Sequence, residues 1–367
     1  MAQPTPIRIL ITLATGTQSS SLIRALSRHA LTTHTPITIH ATTRTPSSQL
    51  AQDLQSTNTN AFTTIHLFQT DLSDPVTLIA PTTNVTHAFL NVTPVLTDVT
   101  LEAKHAKNVL AALAAHASST LQRIVYTSAS SVRDPAVPGN YNGLDQHPWM
   151  KAYYESKFGI EEAVIDLATN TLAGKGVDWT VLQPGTFLSN LLPPVSKFMY
   201  PGIAKKDGAE EERHVVTTAL VPDFKSDWVD PECIGSFALN ALLLPDGDER
   251  YGEYYRGKRV KIAAWPLTMR EVVQSLNEYL ASEARPEGVP EGTKVKVRNL
   301  SKEEVEREVE KGDVLTASRL FQNENRGVFG GEWMEGIGER YGVEMGNLER
   351  FWLREGRAGR VAEGLGY

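Results

Sequence analysis

The chain has 367 residues, 41% hydrophobic and 22% charged, proportions near the globular average that exclude a disordered or fibrous protein. A net charge of -7 and an isoelectric point near 5.8 exclude a broadly basic nucleic-acid surface. The length suits one large domain or two small ones.

That average conceals an asymmetry. Residues 1–150 carry 8 Lys and Arg against 7 Asp and Glu, while residues 151–367 carry 28 against 36. The first acid is Asp53, preceded by Arg8, Arg24, Arg28 and Arg44. The lone Cys233 excludes an intrachain disulfide and a multi-cysteine metal site, points to a reducing compartment, and reads as a small buried hydrophobe. The nine histidines show no ligand spacing, so no metal is expected. No run of about 18 uncharged apolar residues occurs, and Met1-Pro6 leads straight into an alternating strand. The expectation is a cytoplasmic protein without membrane or nucleic-acid partners.

In chain order, apolar periodicity predicts a strand over Ile7-Leu13, a turn at Ala14-Thr15-Gly16 and a helix over Thr17-Ala30. Strands at Ile37-Arg44, Thr64-Leu72, Val85-Thr93 and Arg123-Ser128 follow, alternating with helices at Ser47-Gln55, from Asp74, and at Val99-His116. Ser131 to Met150, rich in Pro and Gly, reads as a loop. A helix over Lys151-Ala168 and a strand over Asp178-Leu182 complete the pattern, which implies an α/β fold with a doubly wound parallel sheet of Rossmann type. Beyond Leu192 the alternation loosens. Helices at Pro231-Leu244, Leu267-Ala284 and Ser301-Gly312 and strands at Thr217-Val221, Arg259-Ala263 and Lys294-Val297 suit a smaller α+β capping region, interleaved with the first. The division expected is 1–191 for the dinucleotide-binding domain and 192–367 for the cap.

A Gly-containing turn between a first parallel strand and a helix is the geometry that holds a dinucleotide pyrophosphate. Here it reads Leu13-Ala14-Thr15-Gly16-Thr17-Gln18-Ser19, with one glycine where the full fingerprint has three, so an ordinary strand-to-helix turn is the plain alternative. The second strand ends at Thr43-Arg44-Thr45-Pro46-Ser47-Ser48. In this fold that point faces the adenosine ribose, where an acid selects a 2'-hydroxyl and an arginine a 2'-phosphate. No acid lies within reach of this point, so NADP is expected over NAD.

Those two segments, together with Thr70-Asp71-Leu72-Ser73-Asp74-Pro75, Ala106-Lys107-Asn108-Val109, Ile124-Val125-Tyr126-Thr127-Ser128 and Asp178 to Phe187, resemble the NmrA-like family, an atypical branch of the short-chain dehydrogenases, over roughly residues 7–285. The resemblance implies that Leu13, Ala14, Thr15, Gly16, Thr17 and Gln18 line the pyrophosphate, Arg44, Ser47 and Ser48 the 2'-phosphate, and Asp71 and Leu72 the adenine. Asn91, Val92 and Thr93 would run along the middle of the cofactor. Lys157 would contact the nicotinamide ribose, and Pro184, Gly185, Thr186, Phe187 and Asn190 would lie beside the nicotinamide. Members usually read Gly-Ala-Thr-Gly-x-x-Gly. Here Leu13 and Ser19 replace the first and last glycines, and a leucine at the tight turn is expected to crowd the pyrophosphate.

Tyr153 and Lys157 stand one helical turn apart, so phenol and ammonium share a helix face. An ammonium there is expected to lower the tyrosine pKa and make it a general acid for carbonyl reduction, with Ser128 polarising the acceptor. Tyr153 packing beside the pocket is the plain alternative. Tyr141, His147, Trp149, Phe187 and Asn190 are candidates for an aromatic substrate pocket, or for core. The leading expectation is an NADP(H)-dependent oxidoreductase reducing a carbonyl, imine or enone of a hydrophobic small molecule, and the family's fungal members point to secondary metabolism. The competing expectation, motivated by the regulators in that family, is a non-catalytic NADP(H) sensor.

Overall fold

The computed structural model describes residues 6–95, 97–204, 213–329 and 336–367; the lead-in at residues 1–5 lies outside the described residues. The first part of the chain alternates regularly: β1 (Ile7–Ile11), α1 (Thr17–Thr33), β2 (Ile37–Thr43), α2 (Gln49–Asn58), β3 (Thr63–Gln69), α3 (Ile79–Thr82), β4 (His87–Leu90), α4 (Thr100–His116), β5 (Arg123–Thr127), α5 (Pro148–Asp166) and β6 (Asp178–Pro184). The second part comprises β7 (Thr186–Phe187), α6 (Val195–Met199), β8 (Val215–Thr218), β9 (Lys225–Val229), α7 (Pro231–Leu243), β10 (Lys258–Ile262), β11 (Trp265–Thr268), α8 (Met269–Ala281) and β12 (Lys296–Asn299). It ends in α9 (Lys302–Glu310), α10 (Val314–Glu324), α11 (Arg326–Phe329), α12 (Ile337–Tyr341), α13 (Leu348–Arg357) and α14 (Arg360–Leu365).

Seven strands form one sheet in the order β10-β6-β5-β4-β1-β2-β3, every pair parallel. Parallel strands buried on both faces need apolar side chains at successive positions, and β1 supplies them. Ile9 and Ile11 enter the cluster under α1 and α7, with Leu22, Ile23 and Phe237, while Leu10 enters the opposite one under α4 and α5, with Leu113 and Ile160. This is the two-residue period of a strand feeding two cores.

The chain beyond residue 191 returns to this sheet twice. Strand β10 pairs with β6, and α7 packs on α1. That packing is close because Gly235 has no side chain: a Cβ there would lie 2.2 Å from Ser21 Oγ. The Ser21 hydroxyl instead donates to the Glu232 carbonyl at 2.8 Å and accepts from the Gly235 N–H at 3.1 Å. Cys233 is buried in the same cluster, and burial pushes its thiol well above the ordinary range, as an inert packing residue requires.

The remaining second part forms its own core around Trp228, Leu276, Phe351 and Trp352. Strands β9 and β11 are among the elements that periodicity does not reveal. They are antiparallel partners of five and four residues, interrupted by Asp227 and Pro266, and they gain their place from pairing rather than pattern. Boundaries shift by a few residues in most elements, two of them for a plain local reason. β1 stops at Ile11, since Leu13 turns the chain at φ +48°, and α5 begins at Pro148, whose fixed φ suits a first helical position.

Candidate functional site

The strand order reverses between β1 and β4, and in open parallel sheets ligands bind outside the carboxyl ends of the strands at such a point. Three features converge there. No side chain caps the first turn of α1 and no acid lies in it, so its free N–H groups and its dipole are left to an anion. The Gly16 N–H closes the turn on the Leu13 carbonyl at 2.8 Å. A lattice of hydroxyls ties the turn to the sheet: Ser19 Oγ donates to the Thr12 carbonyl at 2.8 Å, Asn91 Nδ2 donates to Ser19 Oγ at 3.0 Å, and the Asn91 N–H donates to Thr12 Oγ1 at 2.7 Å.

That lattice explains the two departures from the glycine pattern. Ser19 stands where a glycine usually lets helix and strand approach, and its hydroxyl bonds into the gap. Leu13 accepts a left-handed backbone that disfavours side chains by about 1–2 kcal/mol. Its side chain leans on the cluster containing Leu72 and Val92. Asn91 is correspondingly committed to Ser19, and Gln18 reaches across the crevice to accept from Thr127 Oγ1 at 2.5 Å.

Arg44 lies exposed just beyond β2 and, among the described residues, makes no ion pair. Ser47 is exposed beside it, and Ser48 caps α2, accepting from the Ala51 N–H at 3.3 Å. The sequence offers no acid close after β2, yet the fold brings one near in space. Asp71, at the end of the neighbouring β3, has its carboxyl held below the ordinary range, first by the Ser73 N–H and in smaller part by the Arg44 charge. The Leu72 carbonyl is pinned by Asn108 Nδ2 at 2.8 Å, while Val92 is buried and Thr93 exposed at the mouth.

The other end of the crevice is built differently. Lys157 is buried and its Nζ lies 2.6 Å from Oε1 of Glu102, a carboxylate with no exposed surface on α4. Burial alone would depress the Lys157 ammonium, but Tyr126 and Glu102 reverse this and hold its pKa above the usual lysine value. Lys157 lies 5.8 Å from the centroid of the Tyr153 ring, so the expected neighbourhood is present. The expected lowering of the phenol is not. Burial first, and then the Glu102 carboxylate, push the Tyr153 pKa up. Tyr153 stacks on Trp149 at 5.4 Å, and Ser128 is buried with its hydroxyl unpartnered at the end of β5.

Pro184 and Gly185 continue β6, the Gly185 N–H bonding to the Ile262 carbonyl at 2.9 Å. A side chain at Gly185 would place its Cβ 2.1 Å from the Asp227 carbonyl oxygen. Thr186 and Phe187 then pair with β9, and Asn190 sits half-buried in the turn that follows. Of the aromatic candidates, Tyr141 joins a cluster with Tyr154, Phe321 and Phe329, with Trp149 packed against it, so here side chains of the last eighty residues fill the space beside α5. Asn325 locks this closure, accepting from the Asn142 N–H at 2.6 Å and donating to the Asn142 carbonyl at 3.0 Å, while His147 meets Glu324 at 2.9 Å.

Glu102 is a site residue that sequence reasoning missed. Its signal was legible: Glu102, Ala106, Val109, Leu110 and Leu113 share one buried helical stripe, and an acid on such a stripe requires a buried partner.

The sheet order and the helix terminus at its switch point are those of a Rossmann-type α/β protein, the class to which dinucleotide-binding folds belong. The sequence profile of the NmrA-like family matches residues 6–345, and the chain belongs to that family. Solved structures share the fold. An NADPH-dependent quinone oxidoreductase from Escherichia coli, complexed with NADPH, matches with TM-score 0.60 and 18% identity over 94% of this chain and 99% of its own. The Citrobacter sp. triphenylmethane reductase, complexed with NADP(H), matches with TM-score 0.59 and 16% identity over 95% and 100%. Yeast methylglyoxal/isovaleraldehyde reductase, complexed with NADPH, gives 0.55 and 13% over 98% of each chain. No curated protein sequence matches the chain. Among the described residues, no helix is long and apolar enough to cross a membrane.

Proposed function

We propose that the protein is an NADP(H)-dependent oxidoreductase that reduces a carbonyl, imine or enone of a hydrophobic small molecule. The observation that carries this reading is an uncapped, acid-free helix N-terminus at the sheet's switch point, with the unpaired Arg44 at the neighbouring strand end. The residues suit a dinucleotide: Thr15, Gly16, Thr17 and Gln18 offer backbone donors to a pyrophosphate, and Arg44 with Ser47 a charged fork to a 2'-phosphate. When bound, the cofactor would supply the hydride. A role in fungal secondary metabolism has its support in the family's fungal members.

The protein's own part would lie in proton supply. Tyr153, held as a neutral phenol, suits donation to a developing alkoxide, which is more basic than a phenolate, and does not suit removing a proton from an alcohol near neutral pH. This favours reduction over oxidation. Ser128, with its hydroxyl uncommitted, would polarise the acceptor, and Lys157 would exchange Glu102 for the ribose. The non-catalytic sensor is a second reading, favoured by the Lys157–Glu102 pair and by the aromatic closure beside α5. Titrating the enhancement of NADPH fluorescence, then following NADPH consumption over a panel of quinones, aldehydes and enones, separates the two. Retained affinity with lost turnover in Tyr153→Phe supports the enzyme; binding without consumption, unchanged in that variant, would leave the sensor.

A further inference from the structure

Among the described residues two arginines are buried, Arg123 and Arg319, 9% and 8% exposed, and they are not treated alike. Arg123 donates to the carbonyls of Leu242 and Leu244 at 3.1 and 2.6 Å and to Asp246 Oδ1 at 2.6 Å. Arg319, on α10, lies with its guanidinium 4.9 Å over the Tyr200 ring and makes one long contact, Nη2 to the Met199 carbonyl at 3.5 Å. No carboxylate of the described residues lies within ion-pair distance. A guanidinium keeps its charge at every working pH and carries five donors, so burial without an anion leaves it far from satisfied.

Arg319 lines a cavity of about 300 Å³ between β8, β12, α9 and α10, the lower end of the range for small-molecule pockets. The other charged groups lining it are engaged. Glu304 accepts from Arg298 at 2.8 Å and from the Ser301 N–H at 2.9 Å. Glu308 accepts from Lys311 at 2.8 Å with Arg307 at 3.7 Å, and Asp313 caps α10 through the Thr316 N–H at 3.0 Å. Phe198, Tyr200, Leu300 and Leu315 add apolar side chains to a lining that is otherwise largely polar.

We infer that this cavity binds a small monocarboxylic acid with an apolar body, its carboxylate received by Arg319. Among the described residues, one cation without a carboxylate partner, beside three engaged carboxylates, suits a single negative charge and disfavours a dianion such as sulfate. Those four apolar side chains give the body of the acid its place. The cavity shares no lining residue with the residues assigned to the dinucleotide, and its test is independent of NADPH.

The test titrates benzoate, phenylacetate and hexanoate, with sulfate as comparison, into the full chain by calorimetry and by thermal unfolding. The expected result is a saturable rise in Tm with at least one carboxylate, none with sulfate, and a loss of at least tenfold in affinity in both Arg319→Gln and the cavity-filling Leu315→Trp. Without ligand, Arg319→Gln should match or exceed the wild-type Tm, because it removes an unsatisfied buried charge; a residue serving only structure would lower it. No saturable response to any of the three acids, an equal response in Arg319→Gln, or sulfate acting as strongly as the carboxylates overturns the proposal. Should Arg319→Gln fail to fold, Leu315→Trp decides, and unchanged affinity there overturns it as well.

Discussion

At the β1–α1 turn, Thr15, Gly16, Thr17 and Gln18 are half-exposed or exposed, no side chain caps α1, and among the described residues Arg44 makes no ion pair; beside α5, Lys157, Glu102 and Ser128 are buried, the first two bound to each other. One end of the crevice is a receptor already assembled. The other must break a buried ion pair before Lys157 can reach a ligand. The difference teaches where binding and chemistry would separate: affinity should come from the first end and any turnover from rearrangement at the second. The largest test of that contrast is Glu102→Ala. Removing one member of a buried pair leaves the other charge uncompensated, so a loss of about 3–5 kcal/mol in urea unfolding is expected. A loss below about 1 kcal/mol would mean that water already reaches Lys157 and that the contrast fails. The raised pKa of Lys157 adds a sign: the folded state holds its proton more tightly, so this stability is complete below the ordinary lysine value of 10.5 and falls as pH rises above it. Glu102→Gln should weaken that alkaline fall.

Phe321→Ala probes the closure itself. Phe321 has no exposed surface and packs on Tyr141, Tyr154 and Phe329, so its truncation should cost about 3 kcal/mol. NADPH affinity should stay unchanged if the first end alone sets it, which fluorescence titration checks. Arg44→Ala is the mirror experiment. It should weaken NADPH by about 1.5–3 kcal/mol, the size of a charge-assisted hydrogen bond, leave NADH nearly unchanged, and move stability by less than about 0.5 kcal/mol. Equal loss for both cofactors would remove Arg44 from the 2'-phosphate.

The same contrast divides what was legible in the sequence from what was not. The first end is local: β1, the turn and α1 are adjacent in sequence, and Ile9, Leu10, Leu22 and Leu26 announce them by period alone. Arg44 could be placed because the end of a second strand has a fixed position in this architecture. The second end is assembled from afar. Glu102 and Lys157 are 55 residues apart and Asn142 and Asn325 are 183 apart, and no local pattern encodes such a meeting. The Tyr153 shift is set first by burial and then by Glu102, so a reading that saw only Tyr153 and Lys157 on one helix face assigned it the wrong way. Helix α10 was missed for a related reason: its buried positions Thr316, Arg319 and Phe321 are two-thirds polar, and the apolar stripe that marks a helix is interrupted by the arginine that lines the cap cavity.

The smallest effect expected is at Leu13, and it tests whether the assembled end is assembled for a dinucleotide. Leu13→Gly relieves a left-handed backbone, a gain of about 1 kcal/mol. It also loosens the unfolded chain by about 0.5–1 kcal/mol and forfeits the contact with the Leu72 cluster, so net stability should fall by less than about 1 kcal/mol. Affinity is the sharper readout. Because the side chain leans on the cluster under α4 and α5, NADPH binding should change by less than about threefold, or about 0.6 kcal/mol. Tightening by about tenfold would instead mean that the leucine does crowd the pyrophosphate, and that the turn holds its shape at the expense of the ligand.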